Sequence, residues 1–337
     1  GEVLVPKNAI VIDVEGKTVI PGLIDAHVHF MYPPTQMEFL LRNDAIDAFR
    51  AAHYLHRQLM GGITTVRDVS AVGNVATMAK KAFEEGLFVG SRPIVVEVGI
   101  NGTNPAGNLW TGEADGPHEF RRLVRENLKA GADLIKVLPP YSREELEAAI
   151  EETHAHEKLI TVHNDRRFVH WAIELGADCI EHSGSMSNDL ILMMAEKGMY
   201  GVPTLGIQRR LAGGSDYLAE NNELTDHQSP EETFRKMKRA GIRMAVGTDA
   251  IFHYLEELPG MYFEEIELFV ENGYAPMEAI VAATRIGAEV SDAADKLGTI
   301  EEGKIADLLV IEKDPLEDIR NLRDIEIIIQ GGKVIER

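Results

Sequence analysis

Short apolar runs alternate with segments of helical period along most of the 337-residue chain. Segments such as ELEAAIEETHAHEK place apolar residues three and four positions apart, with charged residues between them, as amphipathic helices do. This alternation is typical of repeated βα units and of a parallel sheet. We count eight units, with strands predicted at 23–28, 63–68, 93–98, 133–138, 159–163, 179–182, 200–204 and 244–248. Helices are predicted near 36–60, 74–86, 117–130, 143–157, 166–176, 188–198, 231–240 and 261–286.

Eight consecutive βα units with right-handed crossovers close into a barrel more readily than they form an open sheet of this size. We therefore predict an α/β fold in which residues 21–296 form a (β/α)8 TIM barrel. Gly131 and Gly176 follow predicted helices and precede the next strands, where a left-handed backbone suits glycine. A doubly wound open sheet is the alternative.

Both ends of the chain depart from this pattern. Residues 1–20 and 297–337 contain short β-type runs such as AIVIDV, KTVI, ADLLVIE and IEIIIQ, separated by glycines and charged residues. We expect the two segments to meet in one small β-sandwich-like domain beside the barrel. The alternative is that they are edge strands that cap the barrel floor.

Composition limits the partners that the chain can have. A formal net charge of -21 at pH 7 argues against binding to nucleic acid or to an anionic membrane, because both would repel the protein. The sequence shows no apolar run of about 18 residues and no basic segment followed by an apolar one. We therefore expect neither a membrane span nor a signal peptide, and a cytoplasmic location. The single cysteine, Cys179, excludes an intrachain disulfide framework. We expect a small-molecule substrate, and a homo-oligomer stays open.

Five of the predicted strands end in side chains that can bind a metal ion. Residues at the carboxyl ends of barrel strands face the barrel mouth, and positions two apart on a strand point to the same side. One histidine on an apolar run is more often a core residue than a ligand, but the repeated placement favours a two-metal hydrolase site. The side chains are His27 and His29, Lys136, His163, His182 and Asp249.

Lys136 has two interpretations. An ammonium group that points into a barrel is desolvated, so it needs a partner or a lowered pKa. The first interpretation is a buried salt bridge with a nearby carboxylate, which Lys136 taken alone favours. The second is a neutral amine that captures carbon dioxide as a carbamate able to bridge two cations.

Several motifs together resemble a known family. PGLIDAHVHF, GADLIKVL, ITVHN, GADCIEHSG, GTDA and KLGTIEEGKIADLLVIEKDPLEDI occur in the order and spacing of the amidohydrolase superfamily. The chain resembles its binuclear-metal branch of prolidase-like and imidazolonepropionase-related proteins. The resemblance runs from about Val11 to the C-terminus. These motifs are specific for the superfamily and much less so for a substrate.

The resemblance implies a ligand set. His27, His29 and Asp249 would hold the more buried metal ion, and His163 and His182 the more exposed one. A carboxylated Lys136 (N6-carboxylysine) and a hydroxide would bridge the two ions. Zinc is the usual metal of such relatives, and manganese, cobalt or iron also suit nitrogen and oxygen ligands.

This ligand set implies a metal-dependent hydrolase that cleaves an amide-type bond in a dipeptide or an N-acyl amino acid. The bridging hydroxide would attack the carbonyl carbon, and Asp249 would pass the proton to the leaving group. Lactonase or esterase activity is an alternative. Another is a ring-amidine deaminase of the same superfamily, against which Lys136 argues because deaminase relatives generally lack it. The third is a catalytically silent or engineered barrel.

The loops that would choose the substrate differ from those of relatives. Many prolidase-like proteins carry Gly-Gly-His after the third strand, whereas this chain has NGTNPAGNLWTG. After the seventh strand lies a long insertion that we interpret as a lid, an oligomer contact, or a source of arginines that fork onto a substrate carboxylate. The candidate substrate-binding residues are Arg209, Arg210, Tyr141, Trp110 and His253.

Two further expectations concern residues outside the ligand set. Arg67 and Asp68 end the second strand, and we interpret them as a structural ion pair. Relatives usually begin with several β-strands before the segment that matches AIVIDVEGKTVIPG, whereas this chain starts almost at that segment. The small β domain is therefore expected to be truncated or reduced.

Overall fold

Parallel strands close into a barrel at the centre of the protein. The computed structural model describes residues 11–32, 36–104, 111–212 and 229–336. Within these ranges the strands are β1 Thr18–Pro21, β2 Leu23–His29, β3 Ile63–Asp68, β4 Arg92–Val95, β5 Gly99–Asn101, β6 Thr111–Glu113, β7 Ile135–Val137, β8 Ile160–His163, β9 Cys179–Glu181, β10 Tyr200–Val202, β11 Arg243–Met244, β12 Ala250–Ile251, β13 Leu308–Ile311, β14 Ile325–Gln330 and β15 Lys333–Ile335. The predicted (β/α)8 barrel is confirmed.

The barrel is closed by two divided strands. Strands β12, β2, β3 and β4 pair in parallel on one side, and β5, β7, β8, β9, β10 and β11 on the other. Strands β4 and β5 together fill the third barrel position, and β11 and β12 fill the eighth. The Ala26 N–H donates to the Val246 carbonyl at 2.9 Å, and the Asp249 N–H donates to the His27 carbonyl at 2.7 Å. These bonds join the eighth position to β2.

Helices surround the barrel and connect its strands. Every helix of the described ranges falls short of the length or the apolar character that a bilayer crossing requires. The α-helices are α1 Gln36–Leu40, α2 Asp44–Met60, α3 Val75–Glu84, α4 Pro117–Ala130, α5 Arg143–Ala155, α6 Val169–Leu175, α7 Asn188–Glu196, α8 Leu205–Ala212, α9 Pro230–Arg239, α10 Gly260–Glu271, α11 Pro276–Val281 and α12 Gly287–Val290.

Three helical regions differ from the prediction. The helix expected at 36–60 is divided because the Asn43 side chain accepts hydrogen bonds from the N–H groups of Ala45 and Ile46, which caps α2. The region 261–286 is divided because Pro276 begins a new helix. The insertion after the seventh strand begins with helix α8, where we predicted no helix.

The two ends of the chain meet in a second sheet. This sheet is antiparallel, with the order β1, β13, β14, β15. Ile20, Leu309 and Ile328 belong to the same buried apolar cluster as the barrel residues, and the Gln330 amide donates to the Thr64 carbonyl. The sheet therefore packs against the barrel. The part of the predicted AIVIDV strand that the structure describes, residues 11–14, is not a strand.

A glycine allows the eighth barrel position to approach β2 closely. A Cβ atom on Gly247 would lie 2.5 Å from Val202 Cγ1 and 2.8 Å from His27 Cβ. Both distances are shorter than carbon atoms tolerate. Gly247 is therefore required where the chain passes behind His27.

We predict that Gly247→Ala lowers the free energy of unfolding by about 1–3 kcal/mol, because the added methyl group overpacks the barrel wall. Gly260→Ala is the control, since a Cβ atom there meets nothing within 4 Å. Urea denaturation measures both variants. Equal stability of the two would contradict the close approach.

Candidate metal centre

His27, His29 and Asp249 form a compact cluster at the barrel mouth. Asp249 Oδ1 lies 3.3 Å from the Nε2 atom of His27 and 3.3 Å from the Nε2 atom of His29. One possible ligand atom from each of the three residues lies within 4.8 Å of the others. Alternation along β2 brings both imidazoles to one side, and the Asp249 backbone bond to His27 brings the carboxylate to them.

The hydrogen bonds of the Nδ1 atoms of His27 and His29 determine whether the Nε2 atoms, which face Asp249, carry a lone pair or a hydrogen. His27 Nδ1 lies 2.8 Å from Glu181 Oε2, and His29 Nδ1 lies 3.0 Å from the Ser70 carbonyl oxygen. An ionised carboxylate and a carbonyl only accept hydrogen bonds, so both Nδ1 atoms carry hydrogen. In neutral rings the two Nε2 lone pairs then face the Asp249 carboxylate. Three acceptors pointing at one another require a positive charge between them.

In the metal-free protein Asp249 favours a proton on His29. Burial lowers the pKa of His29, but Asp249 outweighs it, so the pKa is raised. Burial likewise raises the pKa of Asp249, but His27 and His29 outweigh it and hold the pKa well below its usual range. The carboxylate is therefore ionised and ready to bind a cation.

His163 and His182 extend the cluster. Their ring centroids lie 4.4 Å apart, and that of His182 lies 4.9 Å from that of His27. His182 Nδ1 lies 2.8 Å from the Thr204 hydroxyl oxygen. Burial lowers the pKa of His163 to about 3, with the charge of Lys136 adding to the effect, and burial also holds the pKa of His182 well below its usual range. Both imidazoles are therefore neutral, which is the form that binds metal ions.

Lys136 is buried beside these imidazoles. Its side chain is 1% exposed, and its Nζ atom has no hydrogen-bond partner among the residues that the structure describes. Burial lowers the pKa of Lys136 to about 8. The charge of Lys136 lowers the pKa of His163 and His182, and the charges of Glu181 and Asp249 act on the pKa of Lys136, so the amine lies near these groups. The alternative of a buried salt bridge finds no carboxylate partner in the described ranges.

Left-handed backbone occurs at three successive strand ends around the cluster. His182 has φ 71°, Thr204 has φ 49° and Asp249 has φ 56°. Such angles are uncommon for residues other than glycine and cluster at functional sites. His182 directly follows β9, whose last residue Glu181 points into the barrel. The left-handed backbone at His182 allows both Glu181 and His182 to face the interior.

A buried ion pair lies beneath the imidazoles. Arg67 Nη2 is 2.5 Å from Glu181 Oε1, and both side chains are fully buried. Burial raises the pKa of Glu181, but Arg67 and His27 outweigh it and hold the pKa well below its usual range. The pairing of Arg67 with Asp68 is corrected: Asp68 accepts from the N–H groups of Phe30 and Ser70 instead. Arg67 and Asp68 are neighbours in β3, so they point to opposite sides of the strand.

The donor set fits divalent cations. Neutral imidazoles and an ionised carboxylate lie together at the barrel mouth, near a buried amine without a partner in the described ranges, and their nitrogen and oxygen atoms suit zinc and similar ions. The Nδ1 atoms of His27 and His29, which point away from Asp249, are both hydrogen-bonded, as is usual for histidines that bind metals.

Comparison with known proteins defines the family. The model of the amidohydrolase family matches residues 18–335. The chain is a member of the amidohydrolase family. Among curated proteins it is 27% identical over 373 residues to ochratoxinase of Aspergillus niger, covering 94% of this chain and 75% of that protein. It is also 25% identical over 385 residues to imidazolonepropionase of Alkaliphilus oremlandii strain OhILAs, covering 98% of this chain and 84% of that protein.

Solved structures give the same result for this amidohydrolase. The crystal structure of a Xaa-Pro dipeptidase with bound methionine in its active site superimposes with a TM-score of 0.87 at 28% identity, covering all of this chain and 91% of that one. The predicted resemblance to the amidohydrolase superfamily is therefore confirmed.

The arginines of this amidohydrolase that were candidates for substrate binding are already engaged. Arg209 pairs with Glu231 and Glu271, and Arg210 pairs with Glu257 and Glu264. Helix α8 directs both guanidinium groups toward α9, α10 and the 3₁₀ helix that precedes α10, and the fork onto a substrate carboxylate stays a prediction.

The other substrate candidates have different outcomes. Tyr141 is buried, its ring lies 5.4 Å from that of Phe168, and its hydroxyl has no hydrogen-bond partner in the described part of the chain. Trp110 lies outside the described residues. His253 lies in a short 3₁₀ helix, Phe252–Glu257, directly after β12.

Sequence reasoning missed the polar residues below the metal-capable cluster. Asp25 is fully buried and accepts hydrogen bonds from the Thr248 N–H at 3.0 Å and the Thr248 hydroxyl at 2.8 Å. Glu181 and Arg67 were not recognised as partners. The signal was present, because each of these charged residues interrupts an apolar strand at a position that points inward.

We predict that His163 and His182 do not titrate between about pH 5 and about pH 8 in protein freed of metal by chelation. Histidine in an unfolded chain has a pKa of ~6.5. The lowered pKa values of His163 and His182 therefore contribute stability to the fold above that pH. This contribution is lost as the pH falls from ~6.5 toward the value of about 3 for His163. NMR of the imidazole signals, assigned with His163→Gln and His182→Gln, tests this. Titration of either ring near ~6.5 would show that burial does not control it.

Proposed function

We propose that this amidohydrolase is a metal-dependent hydrolase of amide-type bonds in dipeptides or N-acyl amino acids. The observation that carries the proposal is the arrangement of His27, His29 and Asp249, in which three acceptors face one another beside two neutral imidazoles and a buried amine. The similarity to a Xaa-Pro dipeptidase supports the choice of an amide bond.

The proposal assigns two divalent cations, with zinc the first to test. His27, His29 and Asp249 would hold one ion, and His163 and His182 the other. Lys136 as N6-carboxylysine would contribute to both. Two such cations, when bound, lower the pKa of a shared water and polarise a carbonyl group.

Lys136 is suited to carboxylation by its surroundings. Burial lowers the pKa of the amine to about 8, so a larger share is neutral at physiological pH than for an exposed lysine. A neutral amine attacks carbon dioxide through its lone pair and releases one proton. The resulting carbamate carries a negative charge, which the neutral His163 and His182 rings do not oppose.

Asp249 is assigned as the proton carrier. Its side chain is 21% exposed, whereas that of His27 is 1% exposed, so the carboxylate borders the open side of the barrel mouth. In hydrolysis a bond forms between the water oxygen and the carbonyl carbon, and the carbon–nitrogen bond breaks. Asp249 accepts the proton of the water and delivers it to the leaving nitrogen, so that an amine departs.

An aromatic wall is assigned to the apolar part of the substrate. Tyr141 contacts Phe168, whose ring lies 5.9 Å from that of Trp171. Tyr141 follows β7 and Phe168 follows β8, the strands that carry Lys136 and His163. The Tyr141 hydroxyl can donate to an oxygen atom of the substrate. Trp110 and His253 stay candidates for the same pocket.

Asp249→Asn tests the function directly. We expect metal-loaded protein to contain about two metal ions per chain, by elemental analysis, and to hydrolyse members of a panel of dipeptides and N-acyl amino acids. Asp249→Asn should lower kcat by about 10²–10⁴-fold, because the amide cannot accept the proton. Asp295→Asn, on the exposed surface, is the control. One metal ion with ammonia release from ring amidines would favour a deaminase, and lactone hydrolysis alone an esterase.

The proposed carboxylation of Lys136 is tested by removing and restoring carbon dioxide. Protein loaded with metal in buffer freed of carbon dioxide should hold fewer metal ions, and added bicarbonate should restore the second ion. ¹³C-bicarbonate should give a carbamate NMR signal that Lys136→Met lacks. Methionine keeps the length and apolar stem of the side chain. A signal that persists in Lys136→Met, or metal binding that ignores bicarbonate, would contradict the carbamate.

A further inference from the structure

Glu181 is a fully buried carboxylate at the floor of the candidate metal centre. We infer that Glu181 is a positioning residue that holds His27 in the tautomer whose Nε2 lone pair is available to a cation. This inference rests on the proposed metal centre and adds to it a residue that does not itself face the reacting atoms.

The two carboxylate oxygens of Glu181 bind different partners. Oε1 accepts from Arg67 Nη2 at 2.5 Å and from the Thr161 hydroxyl at 2.5 Å. Oε2 lies 2.8 Å from His27 Nδ1. With Oε1 occupied by two donors, the lone pairs of Oε2 are directed to the imidazole.

The arginine that binds Glu181 is held in place by several hydrogen bonds. Arg67 is fully buried, and its guanidinium also donates to the carbonyl oxygens of Ala26 at 2.5 Å and Val290 at 3.0 Å. Its three bonds connect β3 to β2, to helix α12 and to Glu181. A planar guanidinium fixed at three points cannot turn to follow the carboxylate, so it determines where Glu181 lies.

The bond to Glu181 determines the tautomer of the His27 imidazole. Because Glu181 only accepts, the His27 ring places its hydrogen on Nδ1 and its lone pair on Nε2, 3.3 Å from Asp249 Oδ1. A donor at the position of Glu181 Oε2 would reverse this tautomer. An N–H group would then point at Asp249, where a cation would otherwise bind.

Glu181→Gln makes this change with almost no change in volume. Arg67 and Thr161 are donors, so they attract the amide oxygen and leave the NH₂ group facing His27 Nδ1. We expect the affinity for the ion at His27, His29 and Asp249 to fall about 10–100-fold, while the ion at His163 and His182 is retained. Calorimetric titration with zinc measures both affinities.

Glu97→Gln is the matched control. Glu97 is also a buried glutamate, 3% exposed, but its carboxylate bonds to Thr77 at the start of helix α3 rather than to any imidazole. It should bind both ions as the unchanged protein does. A purely structural role for Glu181 would make the two variants behave alike.

A second measurement separates this inference from the proposed function. In metal-free protein, ¹⁵N NMR of the imidazoles should show His27 protonated on Nδ1, and on Nε2 in Glu181→Gln. Failure of the unchanged protein to bind zinc would overturn the proposed function, yet this tautomer reversal would still support the role of Glu181. An unchanged tautomer together with unchanged zinc affinities would overturn the inference.

A second variant tests the inference if Glu181→Gln does not fold. Thr161→Val removes one hydrogen bond from Glu181 Oε1 and should give a smaller loss of zinc affinity at His27, His29 and Asp249. A zinc affinity equal to that of the unchanged protein would overturn the inference.

Discussion

The contact between the first and the last barrel strands determines the geometry of the whole centre. The Asp25 carboxylate binds the backbone and hydroxyl of Thr248, and the next residue, Asp249, donates its N–H to the His27 carbonyl. Gly247 permits the close approach that these bonds need. The two imidazoles of β2 and the carboxylate of the eighth position are thus held by backbone geometry, so their proximity does not depend on loops.

The interior of this barrel is charged where many barrels are apolar. Arg67, Lys136 and Glu181 are all within 1% of full burial, and desolvating such groups costs several kcal/mol for each unpaired charge. Arg67 and Glu181 offset this cost with hydrogen bonds on every side, whereas Lys136 has none in the described ranges. A buried ion pair whose hydrogen bonds are all made, such as Arg67 and Glu181, stabilises the fold. A buried amine without a hydrogen-bond partner, such as Lys136, is instead expected to take part in binding or catalysis.

Much of this could be predicted from residue patterns, and the failures have physical causes. The strand ends carrying His27, Lys136 and His163 were predictable because periodicity places them on known faces. The division of the third and eighth strands was not, since pairing with neighbours decides where a ladder bond forms. The partner of Arg67 was missed because Glu181 lies 114 residues away. The ion pairs of Arg209 were missed because the carboxylates that bind it come from other helices.

The left-handed backbone at His182, Thr204 and Asp249 has a consequence for how such a protein tolerates change. These three residues at the barrel mouth, here called the rim, are in an unfavourable backbone conformation. The packing of the rest of the barrel must offset that cost in free energy. Substitutions that relax the rim would therefore raise thermal resistance while loosening the geometry of the imidazoles. Variants that gain heat tolerance and also keep this geometry should instead carry substitutions at the opposite end of the molecule, around the four-stranded antiparallel sheet.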